Sequence, residues 1–286
     1  MDYYKIADLS LAVQGVDYPY FQRRMQDYRL PQCESPAMEI SFAEREITGA
    51  PEGKLVATSN GFRQFYKSGS GGYHFFDLLR TPDIYSAAIS ADQNFGRIEM
   101  SLRDIEPLGG APLGVRCLNM LGEAFRYFVL LRSGMVLHSS CIAYKGQGIA
   151  FSAPSGTGKS THTGLWKKYF GDAVTVINDD SPVVRFLGER PVVCGTPWSG
   201  KTEINCDLSA PLKAVIMLEQ KKENTIRRLE PQEAIFRLMQ EVTRPVYPEF
   251  MELTLGYIEK LVLNVPVYLM GCTISKEAVE TAQSVL

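Results

Sequence analysis

With 286 residues, 45% hydrophobic and 22% charged, the chain has the make-up of a globular protein. It can hold one large domain or a catalytic domain with a smaller lobe. A formal net charge of −2 gives bulk electrostatics no reason to draw it to nucleic acid or a membrane surface, and neither is expected as a partner.

The start, Met1-Asp2-Tyr3-Tyr4-Lys5, lacks the basic-then-apolar order of a secretion signal. Residues 1–110 read as a β-rich lobe. Met38, Ile40 and Phe42 alternate with polar neighbours, the period of a half-buried strand. Residues 62–67 and 73–79 read as two strands joined across Ser68-Gly69-Ser70-Gly71-Gly72, and 97–102 as another. His74, set among aromatics, reads as a packed strand residue rather than a ligand. Pro107-Leu108-Gly109-Gly110-Ala111-Pro112 then forms a joint to a second domain over residues 111–286.

From Val115 the period turns helical, with Leu118, Leu121, Phe125, Phe128 and Leu131 three or four apart and Ser133-Gly134 as the stop. Residues 135–144 follow as a strand, Lys145-Gly146-Gln147-Gly148 as a turn, and 148–152 as the next strand. So short a turn predicts an antiparallel pair. Strands are expected at 174–177, 182–186 and 191–194. Residues 213–218 and 225–229 flank Lys221-Lys222-Glu223-Asn224 and predict another hairpin. Pro231 suits the first turn of a helix to about residue 242, and a second helix runs from the Pro245 and Pro248 break to about 261. Residues 265–270 predict a last strand, and Ser275 caps a last helix. No apolar run approaches a membrane span; 261–270 is too short and is broken by Asn264 and Pro266. Six scattered cysteines form no C-x-x-C pair, so a cytoplasmic chain with reduced thiols and no zinc site is expected.

The chemistry gathers at Ala153-Pro154-Ser155-Gly156-Thr157-Gly158-Lys159-Ser160, followed by Thr161. A strand enters this segment and a helix over 159–170 leaves it, the context a phosphate-binding loop requires. Backbone N–H groups of a Gly-rich turn at a helix N-terminus make a concave donor site for phosphate. Gly156 and Gly158 admit conformations that a Cβ would block. Lys159 can reach the β- and γ-phosphates, and the Ser160 hydroxyl is the expected Mg²⁺ ligand. The alternative is a fortuitous Gly-rich turn.

Asp179-Asp180 follows the strand 174–177 and Asn178, at the sheet edge where α/β proteins bind ligands. Phosphoryl transfer needs a metal-side acid and a group that takes the hydroxyl proton, and two adjacent carboxylates can serve both. The alternative is a solvated Asp-Asp-Ser-Pro turn. His138 lies on strand 135–144, the one preceding the phosphate-loop strand, as a catalyst or a packed core residue. Gly195-Thr196-Pro197-Trp198-Ser199-Gly200-Lys201 brings Lys201 toward phosphate or acceptor, or is a turn with an exposed lysine. His162 is placed on the helix surface.

Leu137-His138, the antiparallel hairpin, the loop from Ser155 to Ser160 and the Asp179-Asp180 pair together resemble the catalytic domain of the HPr kinase/phosphorylase family. That family shares its phosphate-loop fold with phosphoenolpyruvate carboxykinase. The resemblance covers residues 135–200 well and the remainder loosely. It implies an α/β (α+β) chain, with an HPr kinase/PEP carboxykinase-like P-loop core on a mixed sheet and a smaller β-rich N-terminal lobe. It implies Asp179 as general base, Asp180 on the metal side with Ser160, His138 beside them, and ATP and Mg²⁺ as cofactors. Thr161-His162-Thr163 and Thr196-Pro197-Trp198-Ser199-Gly200-Lys201-Thr202 depart from the family pattern and mark a divergent member, in a class that includes kinases of peptides and of free serine. The expected function is transfer of the γ-phosphoryl of ATP to a hydroxyl, a serine of a protein or peptide ahead of a small molecule. A homo-oligomer is in view because HPr kinases are hexamers. The rivals are a non-catalytic nucleotide-sensing or peptide-binding regulator and a carboxykinase-like enzyme.

Overall fold

Period-two patterning governs the first of two units into which the chain divides, Met1–Leu131 with Pro245–Phe250. The computed structural model describes residues 1–49, 51–79, 84–188 and 190–286. In this unit β1 (Asp2–Ile6), β2 (Leu9–Gln14), β3 (Arg29–Leu30), β4 (Met38–Glu44), β5 (Ile47–Thr48), β6 (Lys54–Ser59), β7 (Arg63–Lys67), β8 (Tyr73–Leu78), β9 (Ile84–Ala91) and β10 (Arg97–Leu102) form one sheet. Its order is β3-β1-β2-β4-β10-β9-β8-β7-β6, with β5 on β9. The sheet is mixed, since β2 and β10 both run parallel to β4. Met38 and Ile40 are buried between exposed neighbours on β4, and β7 and β8 pair with Phe65 opposite Phe75, as the alternation predicts. His74 is held on β8 by Ser90 Oγ at 3.0 Å, a packed strand residue. The unit also holds α1 (Pro19–Met25) and α2 (Leu113–Leu130), which buries Leu118, Leu121, Phe125 and Phe128.

The second unit is Arg132–Arg244 with Met251–Leu286. Its strands are β11 (Gly134–Val136), β12 (Ser139–Tyr144), β13 (Gln147–Ser152), β14 (Val174–Asn178), β15 (Val183–Arg185), β16 (Val192–Cys194), β17 (Ser209–Gln220), β18 (Thr225–Arg228) and β19 (Val267–Cys272). They form a second mixed sheet. The helices are α3 (Lys159–Phe170), α4 (Pro231–Glu241), α5 (Pro248–Asn264, beginning in the first unit) and α6 (Lys276–Gln283), the last capped by Ser275 accepting from the Ala278 N–H. β12 and β13 form the antiparallel pair expected, from Ser139 opposite Ser152 to Tyr144 opposite Gln147. Lys145 and Gly146 turn between them with φ of 49° and 75°, the two left-handed residues of a tight hairpin turn. β13 then runs parallel to β17, and β17 parallel to β19. Trp166 of α3 and Ala278, Val279 and Ala282 of α6 pack with Ile149, Phe151, Ile216 and Met270 from these strands into one core.

Two expectations need correction. Residues 135–144 are not one strand: the chain leaves the ladder at Leu137-His138, whose N–H groups donate to Pro182 O (3.1 Å) and Glu241 O (3.1 Å). Nor do β17 and β18 pair as a hairpin. β18 pairs with β19, and β19 lies along β17. β19 is buried along most of its length, whereas β18 is mostly exposed and ends in Arg227 and Arg228. The apolar strand therefore takes the position beside β17, and the charged one pairs outside it. No helix among the described residues is long and apolar enough to cross a membrane.

Candidate functional site

The carboxyl end of β13 opens directly into the glycine-rich loop. Pro154, Ser155 and Gly156 are exposed, and Thr157 N–H closes the turn on Pro154 O at 3.2 Å. Gly158 caps α3 with φ of 108°, a conformation costly to any residue with a Cβ. Lys159 is buried, and its Nζ donates to Ala153 O at 2.7 Å across the loop. Burial lowers its pKa, while Glu241, Asp180 and Asp179 oppose the shift. Ser160 and Thr161 are exposed at the helix start.

Asp179 and Asp180 follow β14 and reach the same place by separate routes. Asp179 is buried; its Oδ1 accepts from Ser140 Oγ at 2.5 Å. With its one proton on Asp179, Ser140 Oγ accepts from Thr163 Oγ1 at 2.9 Å, and Thr163 stands one turn along α3 from Lys159 and Ser160. Asp179 is thus fastened, through two hydroxyls, to α3. Asp180 is partly exposed; its Oδ2 accepts from Ser181 Oγ at 2.8 Å.

His138 stands between carboxylates. Its Nε2 lies 3.6 Å from Asp180 Oδ1 and its Nδ1 3.4 Å from Glu241 Oε2. Its carbonyl accepts from Ser152 Oγ at 2.8 Å, which places the histidine one residue from the loop's start. The imidazole therefore meets Asp180 and Glu241, not Asp179. Glu241 was missed by sequence reasoning because it is a lone acid at the end of α4. It is buried at a helix C-terminus, where the dipole disfavours a carboxylate.

Asn178, also missed, organises the pair. Fully buried, it accepts at Oδ1 from the N–H groups of Asp180 (2.8 Å) and Ser181 (2.7 Å). Its Nδ2 donates to Thr196 O (2.8 Å), Thr196 Oγ1 (3.1 Å) and Trp198 O (3.2 Å). An Asn opening an Asp-Asp-Ser-Pro turn was the available signal. The same side chain pins the 195–201 loop beneath the acids, and a Cβ on Gly200 would lie 3.1 Å from Asp180 Cβ. Within that loop Thr196 and Ser199 are buried and Lys201 is exposed. His162, expected on the helix surface, is buried instead. Its ring lies 4.7 Å from Phe151, and its Nε2 accepts from Trp166 Nε1 at 3.2 Å. The helix turns this position toward the sheet, where Phe151 and Trp166 cover it.

Residues 115–286 match one protein family, described as ScmC, SynChlorMet cassette protein ScmC. No curated protein matches the chain. Among solved structures, the Hpr(Ser) kinase/phosphatase from Coxiella burnetii is similar at 8% identity over 52% of this chain and 92% of that one, with a TM-score of 0.32. Likeness that slight leaves the chemistry to be argued from the residues.

Proposed function

The chain belongs to the family of SynChlorMet cassette protein ScmC, and for this member we propose a kinase built on an HPr kinase-like phosphate-loop core. It would move the γ-phosphoryl of ATP to a hydroxyl, a serine of a protein or peptide ahead of a small molecule. The loop over residues 153–161, through its backbone N–H groups other than at Pro154, and Lys159 hold the phosphates. Exposed Ser160 and partly exposed Asp180 offer the hard oxygen donors that suit Mg²⁺. That ion, when bound, neutralises charge on the β- and γ-phosphate oxygens. Asp179 accepts the proton of the attacking hydroxyl, with Ser140 fixing its orientation. The observation that carries the reading is the Ser140–Thr163 tie, which joins the acid to the helix bearing Lys159 and Ser160.

The contact between His138 and Asp180 favours a second assignment, in which Asp180 takes the proton and Asp179 serves the metal side. Incubation of the full chain with labelled ATP, serine peptides and small hydroxyl compounds tests both. Asp179→Asn is expected to keep ATP binding and lose ~10²–10⁴-fold in turnover. Unchanged turnover there, with the loss appearing in Asp180→Asn, selects the second assignment. Lys159→Ala should weaken binding and transfer together. ATP bound without transfer to any acceptor would leave a nucleotide-sensing regulator.

A further inference from the structure

The parallel strands β13, β17 and β19 deliver their carboxyl ends to one edge of the sheet, the edge at which α/β sheets receive ligands. A cavity of about 390 Å³ lies there, within the ~300–1,000 Å³ span of small-molecule pockets. One wall is the phosphate loop itself, Gly156 to Gly158, with Thr161. Opposite stand Gln220, from the end of β17, and Cys272, Thr273 and Ile274, from the end of β19, while Leu165 and His162 come from α3. Gln220 Nε2 donates to Thr157 O at 3.1 Å and ties that wall to the loop.

We propose that this cavity receives the nucleoside part of a nucleoside triphosphate, with His162 as its buried hydrogen-bond donor. The inference rests on the reading of the loop as a triphosphate site. His162 is 3% exposed, and its Nε2 accepts from the Trp166 indole. Indole N–H is a donor only, so the ring proton sits on Nδ1. Burial pushes the imidazole's pKa down to about 4, which keeps the ring neutral and this tautomer in place. Among the described residues the Nδ1 atom has no hydrogen-bond partner, a costly state for a buried donor. Bases and ribose carry the acceptors it lacks. Leu165 and Ile274 supply apolar surface for a flat ring, and Thr161 leads from the loop into the cavity. A triphosphate on the loop therefore has its remaining part directed to a space of suitable size, one apolar wall and one unmet donor.

Titration of the full chain with ATP, GTP and inorganic tripolyphosphate, each with Mg²⁺, tests the inference. Both nucleotides are expected to bind at least ~10-fold tighter than tripolyphosphate. Ile274→Asp, at a position 79% exposed and tolerant of change, and His162→Phe should each weaken ATP by roughly tenfold and leave tripolyphosphate unaffected. ATP, but not tripolyphosphate, should slow alkylation of Cys272. Equal affinity for ATP and tripolyphosphate, or variants that bind ATP as well as the parent, would overturn the nucleoside site while the loop reading stands. Failure of all three probes to bind removes the loop reading and this inference with it.

Discussion

At Asn178 a single carboxamide serves two backbone N–H groups and three acceptors with no exposed surface. Removing it strands the buried Thr196 acceptors and frees the Asp180 and Ser181 N–H groups, and each buried unsatisfied group costs ~1–3 kcal/mol. Asn178→Ala is expected to lower stability by about 3 kcal/mol in urea unfolding. It should also release the 195–201 loop, read as faster amide exchange at Thr196 to Trp198; unchanged exchange would deny Asn178 its organising role. His162 gives a prediction in pH. Its pKa falls from an ordinary 6.5 to about 4 through burial. Between those values the unfolded chain takes up a proton that the folded chain refuses, so stability falls as pH drops through that window and the contribution is intact above 6.5. The loss approaches about 3 kcal/mol at the acid end. His162→Gln should flatten the stability profile between pH 6.5 and 4 relative to the parent, and parallel profiles would contradict the assignment.

Among the elements, those carrying the loop were legible in the sequence because their signals are local. Glycines, lysine and helix start sit in one stretch, and the Lys145-Gly146 turn announces its hairpin within two residues. The acid pair was legible as a pair, at the end of an apolar strand. What joins them was not: Ser140 on β12 meets Thr163 on α3, and Glu241 at the end of α4 meets His138, contacts that form only when the sheet does. The β17–β18 pairing was misjudged because nearness in sequence was weighed above burial. The polar Thr-Ile-Arg-Arg of β18 could have been read as unfit for the place beside β17, which the apolar β19 fills. Gly195 follows β16 directly, at the point where the 195–201 loop begins. A Cβ there would stand 1.9 Å from Cys206 O and 2.9 Å from Ile177 O, both backbone atoms, and Ile177 O accepts from the Cys206 N–H across this same junction. Gly195→Ala must therefore part the two segments. A loss on the order of 3 kcal/mol is expected, as for other overpacked sites, with displaced signals from Ile177 to Asp180 by NMR. A fully stable variant would mean the junction yields more easily than its packing indicates.

Considered whole, the chain closes its first unit with a segment from far along the sequence. Tyr247 and Phe250 join Phe65, Tyr73, Phe75, Phe95 and Tyr127 in one aromatic cluster, with ring centroids 4.6 Å apart for Tyr73 and Tyr247 and 5.0 Å for Tyr127 and Phe250. Tyr247 OH donates to Tyr66 O at 3.0 Å, across 181 residues of chain, and Glu249 meets Lys67 and Tyr73. A contact spanning so many residues carries a large loop-closure cost and forms late, after the local hairpins β7–β8 and β8–β9 have set the sheet. Its loss should then fall on unfolding rather than on folding. Phe250→Ala removes a fully buried ring and is expected to cost ~3–5 kcal/mol, seen as faster unfolding in stopped-flow with the folding limb nearly unmoved. A folding rate that slows in proportion to the lost stability would show instead that the returning segment is already docked in the transition state.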